Sequence, residues 1–361
     1  MKLRTTSRLV AFLASGAFAV AVAFSPLAQA QQTWQANVGG ETPDMGTQGL
    51  GFFPNELWIH AGDSVQWTWQ SSEIHTLTFL TVGQPFQHFQ AGCPGFATSP
   101  ASVDGSACVT TPPQVTGQTF TVAFPAPGSF KFQCLVHPHM TGTIHVLSAG
   151  DPLPYSQAFY NQEAARQLHS LITDSDRGMG NMQMSNDGDH DGDDVSVFTR
   201  NRPVIAGKGE VTATPGGLTD RAVLRFLKGT IHIRVGDTVE WTNHDPDEPH
   251  TITFGFNNGD PADTFDPTSN VTIDHDGALH AVISSTSDQV SSGFIEQPLL
   301  DEPGIPQNPI VNPFALGTTI GNVALFNPTR FRVTFMAPGT YNYHCVLHDN
   351  LGMVGKVVVE P

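Results

Sequence analysis

The sequence contains few charged residues and very few basic ones. Asp, Glu, Lys and Arg make up 14% of its 361 residues, and only 16 Lys and Arg stand against 33 Asp and Glu. Residues 31–160 contain a single basic residue, Lys131. Such an acidic chain repels nucleic-acid backbones and anionic lipid surfaces. We therefore expect no nucleic-acid partner.

A long apolar run occurs only once, close to the N-terminus. Lys2, Arg4 and Arg8 accompany the run LVAFLASGAFAVAVAF, and Ala28-Gln29-Ala30 follows it as a small-x-small cleavage site. This order is typical of a secretory signal peptide, whereas an uncleaved anchor would need no cleavage site. We expect residues 1–30 to be removed, the mature chain to be periplasmic or extracellular, and no membrane span to remain.

Cysteine is scarce, with four residues in the chain. Cys93 and Cys108 lie in one loop rich in Gly, Ser and Pro, whereas Cys134 and Cys345 lie in two similar segments described below. An exported chain favours oxidised thiols, which predicts a Cys93–Cys108 disulfide. The alternative, with a second bridge from Cys134 to Cys345, leaves the histidines and methionines beside these two cysteines unexplained.

Glycine and proline are plentiful, with 35 and 27 residues, which favours short strands joined by turns. The segment LWIHAGDSVQWTW (57–69) alternates apolar and polar residues around a Gly-Asp pair, and TIHIRVGDTVEWTN (230–243) repeats the pattern. Period-two alternation predicts half-buried antiparallel strands. We therefore expect an all-β chain with two related domains, residues 31–150 and 203–361.

Residues 151–202 separate the two predicted domains. The segment SQAFYNQEAARQLHSLIT (156–173) has helix-forming residues and an apolar stripe, and so predicts a short helix. The segment GMGNMQMSNDGDHDGDD (178–194) has no periodicity, which indicates a flexible acidic linker. Its methionines and histidine suit Cu(I), so copper capture by the linker is an alternative to a plain spacer.

The two halves end in similar segments, APGSFKFQCLVHPHM (126–140) and APGTYNYHCVLHDNLGM (337–353). Each contains a cysteine, a histidine three residues later and then a methionine, and an isolated histidine closes an earlier strand of each half. Two imidazoles, a thiolate and a weak thioether are the ligands of a type 1 blue-copper centre. The predicted ligands are His75, Cys134, His137 and Met140 in the first half and His250, Cys345, His348 and Met353 in the second.

These motifs resemble those of the cupredoxin family. The spacing C-x2-H-x2-M resembles the short loop of amicyanin, and C-x2-H-x4-M resembles the loops of plastocyanin and pseudoazurin. The resemblance covers roughly residues 45–148 and 205–361. It implies a Greek-key β-sandwich in each half, one type 1 copper ion per domain, and transfer of single electrons between a donor and an acceptor redox protein. An electron carrier rather than an enzyme is expected.

The histidines of the two copper loops give a further expectation. In a blue-copper domain the histidine of this loop lies nearest the surface, so His137 and His348 are expected to be the electron ports. His139, between His137 and Met140, is expected to be a solvated loop residue.

Two other functions remain as alternatives. His344 precedes Cys345, where copper oxidases and nitrite reductases place a ligand for a second copper ion, but Leu80 and Gly255 occupy the positions where a nitrite reductase resemblance requires a histidine. A two-domain copper oxidase or nitrite reductase relative is therefore the less favoured enzyme alternative. A copper-binding or copper-tolerance protein is the other alternative, and it depends on the linker methionines.

Overall fold

Strands dominate the computed structural model, which describes residues 31–84, 93–173, 201–256, 265–297, 319–320, 323–324 and 328–361. The predicted signal segment 1–30 and the linker segment 178–194 lie outside the described residues. The first half contains β1 (Thr33–Val38), β2 (Thr47–Leu50), β3 (Phe52–Phe53), β4 (Glu56–His60), β5 (Ser64–Trp69), β6 (Thr78–Phe79), β7 (Ala101–Ser102), β8 (Val109–Thr110), β9 (Thr119–Ala123), β10 (Gly128–Gln133) and β11 (Thr141–Leu147).

A helix, α1 (Gln157–Thr173), follows these strands where the sequence predicts one. The second half contains β12 (Asn201–Thr214), β13 (Gly217–Leu227), β14 (Thr230–Arg234), β15 (Thr238–His244), β16 (Thr253–Phe254), β17 (Thr272–Ile273), β18 (Leu279–Ile283), β19 (Val290–Ser291), β20 (Thr319–Ile320), β21 (Val323–Ala324), β22 (Arg330–Phe335), β23 (Gly339–His344) and β24 (Val354–Glu360).

The first half is a sandwich of two five-stranded sheets, with strand orders β3-β1-β5-β9-β7 and β4-β11-β10-β6-β8. The alternation seen in the sequence places Val65, Trp67 and Trp69 of β5 on the buried face. At the turn before β5 the buried carboxylate of Asp63 accepts a 2.9 Å hydrogen bond from the indole of Trp34 in β1. One cluster of buried side chains from both sheets forms the core and also includes Cys134.

The second half repeats this plan, as the sequence repeat predicts. Its sheets have the orders β17-β18-β22-β15-β12-β13-β2 and β14-β24-β23-β16-β19. In each half the strand that leads to the cysteine lies between the last strand and a short strand that follows the upstream histidine. The all-β prediction with two sandwiches and a short linker helix is therefore confirmed.

One strand from the first half belongs to the second half's sheet. Strand β2 pairs antiparallel with β13, with Leu50 opposite Asp220 and Thr47 opposite Val223. Leu50 is buried together with Ala222 in a separate small cluster. Because the backbone hydrogen bonds of β13 are completed by the other half, the two sandwiches share a sheet as well as a surface.

Helix α1 packs on the first sandwich. The hydroxyl of Tyr160 accepts a 2.7 Å hydrogen bond from the backbone N–H of Trp58 and donates one of 3.0 Å to the Trp58 carbonyl. The side chain of Leu168 lies against Gly40 and Gly49. Among the described residues, no helix combines the length and the hydropathy that a membrane crossing requires.

The predicted disulfide is present between Cys93 and Cys108, with the two Cα atoms 5.2 Å apart. Cys134 and Cys345 are free thiols, both buried. The structure therefore confirms the Cys93–Cys108 prediction and contains no Cys134–Cys345 bridge between these described residues.

The shared sheet predicts that a core substitution in β2 loosens the second half. Leu50→Ala should lower the free energy of unfolding by about 2–5 kcal/mol, the usual cost of a buried Leu→Ala change. Hydrogen exchange of the β13 amides should then accelerate, because β2 leaves the sheet edge more often. Leu57→Ala is the matched control, since Leu57 is equally buried but lies in the first half's own core. Equal β13 protection in the two variants would contradict the shared-sheet account.

Candidate metal centres

The first candidate centre brings together three of the four predicted ligands of the first half. Reactive atoms of His75, Cys134 and His137 lie within 4.8 Å of one another, and all three side chains are fully buried. The two Nδ1 atoms are 2.9 Å apart, and Sγ of Cys134 lies 3.6 Å from Nδ1 of His137. His75 follows β5, whereas Cys134 and His137 lie in the loop between β10 and β11.

The second candidate centre repeats this geometry. His250, Cys345 and His348 converge within the same limit and are fully buried. The Nδ1 atoms of the two histidines are 3.1 Å apart, and Sγ of Cys345 lies 3.9 Å and 3.5 Å from them. Both sets of residues therefore present the same nitrogen and sulfur atoms to a common point.

These distances fit a metal ion. Metal–nitrogen bonds of about 2 Å place two nitrogen ligands of one ion about 3 Å apart, and a longer metal–sulfur bond widens the nitrogen–sulfur separation. Two imidazoles and one thiolate form the trigonal donor set that suits copper in both of its oxidation states. The residues of both centres therefore fit a type 1 copper ion.

The methionine loops differ in length but end in the same way. The backbone N–H of Cys134 bonds the carbonyl of Met140 at 2.9 Å, and that of Cys345 bonds the carbonyl of Met353 at 3.1 Å. The two extra residues of the second loop are taken up by a 3-10 helix, Asp349–Leu351. Both methionines are fully buried in the same clusters as the cysteines.

Backbone N–H groups surround the cysteine sulfurs. Sγ of Cys134 accepts hydrogen bonds of 3.3 Å from both Thr76 and Val136, and Sγ of Cys345 accepts one of 3.4 Å from Thr251. Burial raises the pKa of both thiols, but the neighbouring imidazoles outweigh it and leave each pKa below its usual value. The thiolate, which is the metal-binding form, is therefore favoured at both centres.

A glycine packs against the upstream histidine at each centre. Gly39 and Gly207 have φ angles of 67° and 74°, a conformation that glycine adopts without strain. A Cβ atom at these positions would lie 2.6 Å from Nε2 of His75 and 1.8 Å from Nε2 of His250. Each glycine thus leaves room for the imidazole of the neighbouring histidine, whose Nδ1 faces the cysteine.

A family model for copper-binding proteins of the plastocyanin/azurin family matches residues 41–147 and 325–360, and these two regions contain both cysteine loops. Both halves of the chain are therefore cupredoxin-like at their cysteine loops. Among solved structures, a Cu(I) form of a methionine-to-glutamine variant of amicyanin is 18% identical over 32% of this chain and 82% of its own, with a TM-score of 0.23. A mutant plastocyanin of a fern is 17% identical over 44% of this chain and 100% of its own, with a TM-score of 0.21.

The two candidate centres face each other across the junction of the two halves. Nε2 of His137 lies 2.9 Å from Oε1 of Glu248, and Nε2 of His348 lies 3.3 Å from Oε2 of the same carboxylate. Glu73 approaches from the first domain, 3.8 Å from Nε2 of His348. One buried carboxylate of the second domain therefore contacts a predicted copper ligand of each domain.

The charges of this junction depend on one another. Burial alone would raise the pKa of Glu248, but the imidazoles of His137 and His348 outweigh burial and hold that pKa below its usual range. Burial, followed by the nearby Glu248 carboxylate, raises the pKa of Glu73. Of the two carboxylates, Glu248 is therefore the one whose ionised form is favoured by its surroundings.

Two expectations about the loop histidines are wrong. His137 and His348 are fully buried rather than surface ports, because each copper loop is covered by the opposite domain. His139 is also buried rather than solvated, and its Nδ1 lies 2.5 Å from Oδ1 of Asp247 in the second domain. The surface that a single blue-copper domain exposes around its loop histidine is here an internal contact.

Sequence reasoning missed the acidic residues of this junction, although the sequence contains a signal for them. Glu73 and Glu248 each stand two residues before the upstream histidine, and both lie in the repeated pattern E-x-H-T-x-T-F, at 73–79 and 248–254. A repeat of this kind points to a shared role for the glutamates. Their contacts with the opposite domain's histidine could not be deduced without the domain arrangement.

The glycine contact predicts a selective loss of copper. Gly207→Ala should displace the imidazole of His250 and leave the protein with one copper ion fewer than Gly236→Ala, as measured by elemental analysis. Gly236 is the matched control because it has a φ of 88° but no atom within 4 Å of the added Cβ. Both variants carry the backbone strain of alanine at positive φ, roughly 1–2 kcal/mol. Equal copper contents in the two variants would contradict this role of Gly207.

Proposed function

We propose that this protein is an exported electron carrier that holds one type 1 copper ion in each domain. The observation that supports the proposal is the pair of buried sets with matching geometry, His75, Cys134 and His137 in one domain and His250, Cys345 and His348 in the other. Met140 and Met353 are proposed as the weak axial ligands, since both end the loops that carry the cysteines.

The chain's own residues prepare each site for reversible one-electron chemistry. A copper ion in such a site cycles between Cu(I) and Cu(II) with little change in its surroundings. The thiolates are fixed by backbone N–H groups of Thr76, Val136 and Thr251, and the imidazoles are fully buried. A fully buried donor set favours electron transfer over substrate binding, because a reactant does not reach it from solvent.

Export is proposed from the N-terminal signal pattern and is supported by the Cys93–Cys108 disulfide. Disulfides persist mainly in oxidising compartments such as the periplasm and the extracellular space. The proposed partners are a donor and an acceptor redox protein, each exchanging one electron at a time. The acidic balance of the chain favours partners that present a basic surface.

The enzyme alternative requires a second kind of copper site built from additional histidines. Besides the two copper-type sets, the described residues contain one further group of possible metal ligands, formed by Glu73, His137 and Glu248. That grouping reuses a histidine of the first centre and offers no set of spare imidazoles. The donor sets of the described residues therefore favour a carrier.

Separate loss of the two centres tests the stoichiometry. Cys134→Ser should remove one blue centre and Cys345→Ser the other, because a hydroxyl does not replace the thiolate that gives type 1 copper its colour and affinity. Copper analysis and the visible absorption spectrum of each variant measure the outcome. Loss of all blue colour in either variant, or no change in both, would refute one type 1 copper ion per domain.

The role of His344 separates a carrier from a copper enzyme. His344→Ala should leave the copper content and electron exchange with a small redox donor unchanged, because a lone imidazole does not hold a catalytic copper ion with an open position. Nitrite reduction and phenol oxidation are measured in the same preparations. Either activity in the unmodified protein, abolished in His344→Ala, would establish the enzyme alternative instead.

A further inference from the structure

The Glu248 carboxylate joins the two candidate centres in a way that neither domain alone would require. Oε1 contacts Nε2 of His137 at 2.9 Å and Oε2 contacts Nε2 of His348 at 3.3 Å. All three side chains are buried to at least 99%. The opposite nitrogen of each imidazole, Nδ1, faces the cysteine sulfur of its own domain.

The imidazole N–H groups depend on this carboxylate. By hydrogen-bond geometry, neither Nε2 atom nor Oε1 of Glu248 has a partner in the described part of the chain, and the Glu248 oxygens are the acceptors that lie at ion-pair distance from the two Nε2 atoms. A histidine that binds a metal through Nδ1 keeps its proton on Nε2, and an acceptor there fixes the orientation of the ring. Here the same carboxylate lies beside the Nε2 atom of one ring from each domain.

Glu73 is the counterpart of Glu248 by sequence position but not by contact. It lies 3.8 Å from His348, beyond hydrogen-bond distance, and its Oε1 accepts a 3.0 Å hydrogen bond from the backbone N–H of Ile74. The repeated glutamates are therefore used differently. Glu248 spans the two histidines, whereas Glu73 lies at the side of the contact.

We propose that Glu248 is a positioning residue that couples the two copper centres, and that electrons pass between the domains through His137, Glu248 and His348. The proposal rests on the proposed function, since it requires copper at both sites. In the step, one centre is oxidised from Cu(I) to Cu(II) while the other is reduced from Cu(II) to Cu(I). The electron that one centre would lose is the one that the other would gain, so no external oxidant or reductant is needed, and the protons stay on the two Nε2 atoms.

The consequence is an internal relay. Both loop histidines are fully buried and both contact the same carboxylate, so a chain of three side chains connects the two centres. An electron that enters one domain is then shared with the other before it leaves. The two domains act as one redox unit instead of two independent carriers.

The experiment replaces Glu248 by Gln and compares it with Glu73→Gln. Glutamine keeps the shape of the side chain but has a single acceptor oxygen, and its NH2 group faces the second imidazole N–H as donor against donor. Each substitution is placed in the full chain, in Cys345→Ser, which retains the first centre, and in Cys134→Ser, which retains the second. Copper analysis of the parent proteins comes first and tests the proposed function independently.

Two measurements follow on the oxidised and half-reduced proteins. Pulsed EPR measures the hyperfine coupling of the imidazole nitrogen that lies remote from copper. This coupling should change on Glu248→Gln in both single-centre backgrounds, whereas Glu73→Gln should leave it unchanged at the first centre. Equilibration between the centres after injection of one electron should slow by about tenfold in Glu248→Gln, a barrier increase of ~1.4 kcal/mol. Glu73→Gln should retain the parent rate.

Several results would overturn the coupling role. A changed nitrogen coupling in only one of the two single-centre proteins would mean that Glu248 serves one centre. An unchanged rate of electron equilibration between the centres would mean that electrons use another path. A third metal ion that binds the parent and is lost in Glu248→Gln would make the carboxylate a metal ligand instead. Should Glu248→Gln fail to hold both copper ions, Glu248→Asp is measured in its place. Its carboxylate is one methylene shorter, so an unchanged rate there would also contradict the proposal.

Discussion

The contact of one buried carboxylate with two imidazoles determines how this protein is organised. An ionised carboxylate is costly to bury without partners, and Glu248 has its partners in His137 and His348. These imidazoles in turn need an acceptor on Nε2 if Nδ1 is to bind metal. The same three side chains therefore serve two purposes. The imidazoles are the polar partners of the buried carboxylate, and the carboxylate lies where it can orient the imidazoles of both candidate centres.

The rest of the junction keeps this contact in place. Strand β2 of the first half extends the second half's sheet, and Arg225 of β13 donates hydrogen bonds of 2.8 Å to Leu351 and 2.7 Å to Asp44. Leu351 belongs to the 3-10 helix of the second copper loop. The junction is therefore built from a strand pairing, a loop contact and a buried carboxylate–imidazole contact.

Features that depend on local chemistry could be predicted from the sequence. The alternation around Gly62 and Gly236 predicted the strands on either side of each turn, but not their pairing, because the two strands lie in different sheets. The helix and the Cys93–Cys108 disulfide were also predicted correctly. The spacing of cysteine, histidine and methionine identified residues that the fold brings together, because that loop is closed by its own backbone hydrogen bonds. Assignment of these residues as copper ligands remains a proposal.

Features that depend on the arrangement of the two domains could not be predicted. The pairing of β2 with β13 joins segments about 170 residues apart, and nothing in the four residues of β2 specifies that partner. The loop of an isolated domain predicts His137 and His348 at the surface, whereas each is buried by contacts with the opposite domain. The repeated E-x-H-T-x-T-F pattern is a sequence signal for Glu73 and Glu248 that sequence reasoning missed, and only the packed structure shows that Glu248 contacts a histidine of each domain.

The central claim is that two copper centres face each other across one carboxylate. EPR of the fully oxidised mature protein, combined with copper quantification, tests it most directly. The account predicts two copper ions per chain, both with type 1 hyperfine splitting, and a dipolar interaction between them that disappears when either cysteine is replaced by serine. One copper ion per chain, or two magnetically isolated type 1 signals, would contradict it.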